Sequence, residues 1–331
     1  MPANLTPQYK EAEERYRQAE TTEEKLAALD EMMAIIPKHK GTEHMRADIK
    51  RRISKLKQVD EKKTGGRRGQ EYNVEKEGGG QVALVGPPNS GKSKLLSRIT
   101  NAQPEIGDYP FTTQRPLPGM MPYEDINFQI VDMPPITEEF TEPWMAAIAR
   151  NADAVLLVVD VSDSEVLDKI ETTLGVLEKY RVRLYGYDRP ACGDELGLIV
   201  CRKTILVANK MDGPDGVGNL EVVHEFIGDR FPIVPVSAES GEGLEQLKQD
   251  VFAMLDVVRS YTKIPGKPAD MGAPYVVPRE TTVIELATMV HKDFAERLRF
   301  ARIWGHGKFE GQMVSRDYVL QDKDIIEFHV Q

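Results

Sequence analysis

The chain has 331 residues, of which 40% are hydrophobic and 29% are charged, and its formal net charge at pH 7 is −10. These values are typical of a soluble protein of two or three domains and exclude a chain that is disordered throughout. No apolar run approaches the ~18 residues that cross a bilayer, and the N-terminus is acidic and polar, so we expect a cytoplasmic protein without a membrane partner.

The cysteine content agrees with a reducing compartment. There are two cysteines, Cys192 and Cys201, and they lack the histidines or the second cysteine pair of a zinc site. We therefore expect two free thiols.

Residues 1–63 are predicted to form a helical hairpin. Thr21 and Glu24 match a capping box, apolar residues follow at helical spacing, and Pro37 ends the first helix. A second amphipathic segment begins near Thr42 after a short turn. Its apolar positions are Met45, Ile49, Ile53, Leu56 and Val59.

Charge is distributed unevenly along the chain. Between residues 38 and 68 there are twelve basic and four acidic residues, whereas the remainder is strongly acidic. A basic arm on an acidic body favours a polyanionic partner, most simply RNA, so we predict contact with RNA, and not with DNA, through Arg51, Arg52 and Lys55. A solvated charged face without a ligand is the alternative. Residues 64–80 are rich in glycine and are predicted to be a linker.

The stretch QVALVGPPNSGKSKLLSRIT, residues 81–100, predicts a strand, a glycine-bounded loop and a helix. Gly86, Gly91, Lys92 and Ser93 fill the pattern G-x-x-x-x-G-K-[ST]. The glycines let successive backbone N–H groups surround phosphate oxygens, and the start of the helix adds its positive dipole end. Lys92 is predicted to reach the β- and γ-phosphates, and the Ser93 hydroxyl to ligate Mg²⁺. An ordinary glycine-rich turn is the alternative.

Three further apolar strands each end in a polar residue. They are INFQIVD, AVLLVVD and TILVANK, which end at Asp132, Asp160 and Lys210. Apolar strands that alternate with helices predict a mostly parallel sheet covered on both faces, and such sheets bind ligands at the carboxyl ends of their strands. We predict that Asp132 holds the Mg²⁺ shell from the side opposite Ser93, with a helix cap as the alternative.

The next motif selects the base of the nucleotide. Asn209, Lys210 and Asp212 form N-K-x-D directly after a buried strand. The Asp212 carboxylate can accept hydrogen bonds from N1–H and the exocyclic amine of guanine, whereas adenine has no N1–H. Ser237 and Ala238 follow a later strand, where a backbone N–H can reach the guanine carbonyl oxygen. Together these motifs predict a site for GTP and GDP.

Residues 81–258 resemble the nucleotide domain of the Obg-like GTPases, and more closely that of the branch called developmentally regulated GTP-binding proteins. The resemblance rests on these motifs, on YPFTT at 109–113, and on KHKGTEHMRADIKRRISKLK near the N-terminus. It implies that 109–113 form the first switch, in which Thr113 ligates Mg²⁺ and the γ-phosphate. It also implies that Asn89 holds a K⁺ ion that neutralises developing phosphate charge. The catalytic candidates are then Lys92, Thr113 and Asn89, and the nucleotide-binding set also includes Asn89, Ser90 and Lys94.

One residue departs from the family's second switch, D-x-P-G, and the residue after it departs from many other GTPases. Pro135 stands where the N–H of the glycine would contact the γ-phosphate, and proline has no N–H to donate. A hydrogen bond to a charged group is worth ~1.5–3 kcal/mol, so the preference for GTP over GDP should be blunted. Ile136 stands where many GTPases have a water-orienting glutamine, and we therefore expect slow hydrolysis.

Residues 264–331 are predicted to form a small β-grasp domain, and their sequence resembles the TGS domain that ends many of these GTPases. A helix is expected from Thr282 to about Val290. The expected strands lie around Arg302, Val314 and Ile325. The resemblance implies contact with RNA or with a regulatory protein partner.

The sequence therefore predicts an α/β protein with a helical hairpin (1–63), a linker (64–80), a P-loop GTPase domain (81–260) and a TGS domain (264–331). Its predicted function is that of a slow, K⁺-stimulated GTPase acting as a switch in ribosome- or RNA-related processes. The alternative is a scaffold that binds guanine nucleotide with little or no hydrolysis, because Pro135 and Ile136 both remove groups that favour turnover. An ATP-dependent enzyme built on the same loop would require Asp212 to have no role.

Overall fold

The computed structural model describes residues 15–16, 28–29, 31–33, 35, 49, 74–102, 115–189, 197–305 and 309–330. The chain divides into two compact units, Met1–Asn73 and Val74–Gln331. None of the helices in the described part of the chain has the length and hydropathy that a membrane crossing requires.

The described residues of the first unit are all helical. Among these described residues, the apolar side chains of Ala28, Leu29, Met32 and Ile49 are buried. Arg15 forms an ion pair with Glu31 at 2.8 Å. The rest of the predicted hairpin, including Arg51, Arg52 and Lys55, lies outside the described residues.

The second unit begins with a seven-stranded sheet. Its strands are β1 (Gln81–Val85), β2 (Leu117–Tyr123), β3 (Ile126–Asp132), β4 (Ala154–Asp160), β5 (Val182–Gly186), β6 (Val200–Asn209) and β7 (Ile233–Pro235). The order is β2-β3-β1-β4-β6, with β5 beside the first half of β6 and β7 beside its end. All strand pairs are parallel except β2–β3.

Helices cover both faces of this sheet. They are α1 (Lys92–Ile99), α2 (Pro143–Asn151), α3 (Val166–Lys179), α4 (Gly216–Ile227) and α5 (Leu244–Leu255). Side chains alternate along a strand, so Val82 and Leu84 of β1 pack against α1 and α5, whereas Ala83 and Val85 pack on the side of the other three helices. The predicted α/β fold, with a mostly parallel sheet between two helical layers, is confirmed.

The sequence does not predict β2, because the strand contains Pro118, Gly119 and Pro122. It is the edge strand of the sheet and is antiparallel to β3. At an edge, the missing N–H of proline is tolerated. Gly119 is required for packing, since a Cβ there would lie 2.6 Å from Oγ1 of Thr100.

Residues 74–80, which composition assigns to the linker, are hydrogen-bonded to the first sheet. The N–H of Gly79 donates to the carbonyl oxygen of Asn127 at 2.9 Å, and the carbonyl oxygen of Gly80 accepts from the N–H of Gln129 at 2.9 Å. This stretch therefore belongs to the second unit.

The prediction of two free thiols is wrong for Cys201 on β6, which is disulfide-bonded. That prediction came from the expected compartment and not from distances between sulfur atoms, which decide whether a bond can form. Cys192 lies outside the described residues.

A second sheet of five strands follows. Its strands are β8 (Val257–Lys263), β9 (Tyr275–Pro278), β10 (Leu298–Trp304), β11 (Gln312–Val314) and β12 (Asp324–Val330), in the order β11-β10-β12-β8-β9. Two short helices, α6 (Val283–Val290) and α7 (Lys292–Arg297), accompany it. Thr282 caps α6 with the help of Glu285, as a capping box. The predicted β-grasp arrangement is confirmed.

The strand β8 precedes the predicted domain boundary at residue 264. It pairs with β12 and β9, and Val258 lies in the apolar core of the second sheet. The second sheet therefore includes residues that the sequence pattern assigns to the first domain.

A charged cluster, formed by Arg259, Glu124, Asp125, Asp322 and Tyr261, joins the two sheets. The Arg259 guanidinium contacts Asp125 at 2.8 Å and Asp322 at 2.6 Å, and it also pairs with Glu124. The Tyr261 hydroxyl donates to Asp125. Only 3% of the Arg259 side chain is exposed. Because Glu124 and Asp125 form the turn between β2 and β3, this Arg259 cluster holds that turn against β8.

The Arg259 cluster shifts the ionisation of its members. The hydrogen bonds to Asp322 above all, and those to Glu124 and Asp125, hold the pKa of Arg259 above its ordinary value despite burial. Burial alone would raise the pKa of Asp125 and of Asp322. The hydrogen bonds that Asp125 accepts from Tyr261 and Arg259, and that Asp322 accepts from Arg259, have the larger effect and lower the pKa of both carboxyls. Burial and Asp125 raise the pKa of Tyr261 to about 12. The carboxylates therefore stay ionised around a permanent cation.

Candidate nucleotide site

The phosphate loop connects β1 to α1 and turns through left-handed backbone conformations. Asn89 has φ of +59° and Gly91 has φ of +86°. A Cβ at Gly86 would lie 2.2 Å from the carbonyl oxygen of Val158, and one at Gly91 would lie 2.3 Å from Nδ2 of Asn209. Both ends of the loop therefore require glycine.

The side chain of Lys92 lies folded against this loop. Its Nζ donates to the carbonyl oxygens of Gly86 at 3.1 Å and Pro87 at 2.8 Å, and it lies 3.4 Å from Oγ of Ser90. Burial lowers the pKa of Lys92 to about 8, although the charge of Asp132 acts in the opposite direction. A desolvated ammonium beside the phosphate loop is complementary to an anion.

The two predicted Mg²⁺ ligands of the described chain lie side by side. The Ser93 hydroxyl donates to Oδ2 of Asp132 at 2.5 Å. Asp132 ends β3 and is fully buried. A hydroxyl and a carboxylate are the hard oxygen ligands that Mg²⁺ prefers, so these residues fit the ion. Thr113, the third predicted ligand, lies outside the described residues.

The Asn209 side chain connects the phosphate loop to the loop after β7. Its Nδ2 donates to the carbonyl oxygen of Ser90 at 2.9 Å, and its Oδ1 accepts from the N–H of Ala238 at 3.0 Å. Ser237 donates through its hydroxyl to Asp212, and this hydrogen bond lowers the pKa of the Asp212 carboxyl. The predicted base-binding residues are thus held together at the edge of the sheet where the phosphate loop lies.

Asp160 has a role at this edge that sequence reasoning did not assign. It accepts from Nζ of Lys210 at 2.6 Å through Oδ2, and from the hydroxyl of Ser162 at 2.6 Å through Oδ1. Lys210 adopts a left-handed conformation, with φ of +66°. The signal for this contact was the position of Asp160 at the carboxyl end of β4.

Known proteins resemble the chain in both of its sheets. Residues 81–185 match the family model described as 50S ribosome-binding GTPase, and residues 258–330 match that of the TGS domain. The chain is 26% identical to developmentally-regulated GTP-binding protein 1 of Xenopus laevis, over 92% of this chain and 97% of the other. An uncharacterized GTP-binding protein of Halobacterium salinarum is 27% identical, over 92% and 98%.

The chain therefore contains a GTPase domain followed by a TGS domain. The crystal structure of a GTP-binding protein from Pyrococcus horikoshii shares the fold with a TM-score of 0.53 at 14% identity, and the match covers 76% of this chain and 100% of that one. A GTPase domain implies binding of a guanine nucleotide, typically with Mg²⁺.

In this GTPase domain, the loop after Ala238 is also tied to α1. Lys94, which belongs to the predicted nucleotide-binding set, forms an ion pair with Glu239. Arg98, one helical turn further on, donates to the carbonyl oxygen of Glu239 at 3.3 Å. Sequence reasoning missed Glu239, because no spacing rule links a loop residue to a helix so far away in the chain.

We predict that Asn209→Asp weakens GDP binding by about tenfold, the effect of losing one buried hydrogen bond of ~1.5 kcal/mol. The carboxylate still accepts from the N–H of Ala238, but the Ser90 carbonyl loses its donor. Calorimetric titration with GDP measures the effect. Asn219→Asp is the matched control, since the Asn219 amide donates to the carbonyl oxygen of Val161 at 2.8 Å. An equal loss in both variants would contradict the proposed role of Asn209.

Proposed function

We propose that this protein binds GTP and GDP with Mg²⁺, hydrolyses GTP slowly, and acts as a switch in a process that involves the ribosome or another structured RNA. The observation that supports this most is the bridge made by Asn209. It holds the loop of Asp212 beside the phosphate loop of Lys92. A guanine nucleotide has a base for the Asp212 loop and a polyphosphate tail for the Lys92 loop, whereas adenine lacks the N1–H that the Asp212 carboxylate would accept.

The chemistry assigned to each residue follows from its place in the site. Lys92 holds the β- and γ-phosphates, and Ser93 and Asp132 hold the Mg²⁺. When bound, Mg²⁺ neutralises charge on the transferred phosphoryl group. Ile136 is 1% exposed and packs in the apolar core, so it does not orient the attacking water. Slow turnover is the consequence.

K⁺ stimulation is the part of this proposal that concerns Asn89. This residue is exposed on the phosphate loop, where a monovalent cation held by its side chain would lie beside the phosphates. We expect faster GTP hydrolysis in KCl than in NaCl, and we expect the difference between the salts to disappear in Asn89→Gly. Glycine keeps the left-handed backbone conformation while removing the ligand. Phosphate release at equal ionic strength provides the measurement.

A scaffold that binds guanine nucleotide without useful turnover is the second candidate function. The positions of Pro135 and Ile136 favour it, because neither residue supplies a group that assists hydrolysis. Absence of turnover above background in both salts, together with intact GDP binding, would favour this candidate over the slow GTPase.

The RNA partner is assigned to the basic arm at residues 38–68, and a regulatory protein partner to the TGS domain, in a cytoplasmic setting. We expect co-sedimentation with ribosomes to weaken steeply as salt rises, since each phosphate contact releases counterions. Reversing the charges of Arg51, Arg52 and Lys55 should release the protein from ribosomes without changing GDP affinity.

The matched control reverses three exposed cations of the second unit. These are Lys179, Arg189 and Arg230. The change in net charge is the same as in the arm variant, so a loss of ribosome binding in both variants would show that total charge and not the arm is responsible. Ribosome binding that survives both salt and the arm substitutions would contradict the RNA proposal.

A further inference from the structure

The segment after Asp132 is fully packed, although it follows a residue of the predicted Mg²⁺ site. Residues 133–136 are all buried. The N–H of Ile136 donates to the carbonyl oxygen of Gly86 at 3.1 Å, and the same oxygen accepts from Nζ of Lys92. The hydrogen bond from Ile136 therefore holds the segment against Gly86, the first residue of the phosphate loop.

Two consecutive prolines limit what this segment can offer a ligand. Pro134 and Pro135 have no backbone N–H and have φ fixed by their rings. The first N–H after Met133 is that of Ile136, and it is engaged by Gly86. In this conformation, residues 134–136 therefore have no backbone donor available for a γ-phosphate.

The turn that follows is closed upon itself and anchored to a neighbouring helix. Thr137 donates through its N–H to Oγ1 of Thr141 at 2.9 Å, and that hydroxyl donates to the carbonyl oxygen of Thr137 at 2.6 Å. The hydroxyl of Tyr180, the residue that follows α3, donates to the carbonyl oxygen of Thr141 at 2.7 Å. Glu142 then caps α2.

Segments that rearrange with a ligand have few buried contacts and little hydrogen bonding. Residues 133–136 are buried instead, and the more exposed turn at 137–142 is closed by the hydrogen bonds of Thr137, Thr141 and Tyr180. Moving them would withdraw Met133 and Ile136 from the apolar core that they share with Met145 of α2. It would also break the hydrogen bonds at Gly86 and Thr141.

We propose that residues 133–142 form one wall of the nucleotide site and keep the same conformation with GTP and with GDP; we call this segment the fixed wall. Pro135 is the residue that prevents the fixed wall from distinguishing GTP from GDP. This inference rests on the proposed guanine-nucleotide function and deepens it. A partner that responds to the bound nucleotide must then contact another part of the chain.

Trp144 provides a reporter for the fixed wall. The protein has two tryptophans, Trp144 and Trp304, so Trp304→Phe leaves one emitter at the start of α2. Its Nε1 donates to Oε2 of Glu142, at the end of the wall, at 3.0 Å. With Mg²⁺ present, we expect equal emission and equal acrylamide quenching in complexes with GDP and with the slowly hydrolysed analogue GTPγS. A change specific to GTPγS would overturn the inference.

Pro135→Gly tests the specificity role, because it restores an N–H at the position of the lost contact. In the wild type we expect the affinities for GDP and GTPγS to agree within about threefold, less than the ~tenfold that one charged hydrogen bond supplies. In Pro135→Gly we expect GTPγS affinity to rise by at least ~tenfold relative to GDP. Pro134→Gly is the matched control, since it loosens the same segment but leaves position 135 without a donor.

The outcomes separate this inference from the function on which it rests. A wild-type preference for GTPγS of tenfold or more, or a Pro135→Gly variant that binds GDP with an unchanged ratio, would overturn the inference alone. An equal gain in Pro134→Gly would also overturn it, because flexibility and not the donor would then be responsible. Absence of binding of either nucleotide to the wild type would overturn the proposed function and this inference with it.

Discussion

Asp212→Asn should lose GDP affinity by on the order of a hundredfold or more, because two hydrogen bonds to a carboxylate are replaced by contacts to a neutral amide. The same variant should gain affinity for xanthosine diphosphate. Xanthine has a carbonyl oxygen where guanine has the exocyclic amine, and the asparagine amide can donate to it. Competition of each diphosphate against a fluorescent GDP analogue measures both effects.

The control for Asp212→Asn is Asp215→Asn, three residues later. Asp215 is exposed and its side chain makes no capping hydrogen bond to α4. The change in charge is identical, and we expect GDP affinity to stay the same. ATP should compete poorly with GDP on the wild type. Strong competition by ATP, or no gain for xanthosine diphosphate in Asp212→Asn, would contradict guanine recognition by Asp212.

Arg259→Met should lower the free energy of unfolding by about 3 kcal/mol or more, because the carboxylates of the Arg259 cluster lose the cation that compensates their partial burial. The arginine side chain is 3% exposed, whereas those of Asp125 and Asp322 are 32% and 28% exposed. Urea unfolding followed by tryptophan emission and circular dichroism measures the change. Two probes are needed, because a protein with two sheets can unfold in more than one step.

Arg279→Met is the matched control for the cluster. Arg279 pairs with Asp256 at 2.7 Å, but both side chains are about half exposed, at 57% and 48%. Exposed ion pairs contribute ~0–1 kcal/mol, so this variant should change stability little. Similar decreases in the free energy of unfolding of the two variants would show that the buried Arg259 cluster stabilises the protein no more than a surface ion pair does.

The parts of the molecule that follow from sequence are those that depend on neighbours along the chain. The loop from Gly86 to Ser93 has its pattern within eight residues, and each strand that leads to Asp132, Asp160 or Lys210 is itself an apolar run. The order of these elements was enough for the α/β fold, since parallel strands bring their carboxyl ends to one edge.

The parts that sequence did not predict are of two kinds. Some depend on contacts between residues far apart in the chain, and others have a local composition that is unfavourable for the structure they adopt. Arg259 lies 135 residues from Glu124, and no periodic signal links them. The edge strand β2 contains prolines that are unfavourable inside a sheet, and only its position makes them acceptable. The contacts of Asp160 with Lys210 and of Glu239 with Lys94 likewise join residues that are far apart in the chain.

The position of β8 has a practical consequence for dividing this protein into fragments. β8 follows α5 after a single residue, Asp256, and lies inside the second sheet between β12 and β9. A C-terminal fragment that begins at residue 264 would lack an interior strand. The backbone N–H and C=O groups of β12 and β9 that pair with β8 would then be unpaired at two exposed sheet edges, which are prone to aggregation. A soluble fragment has to begin at or before Val257, and even then Arg259 would keep Asp322 but lose Glu124 and Asp125 of the β2–β3 turn.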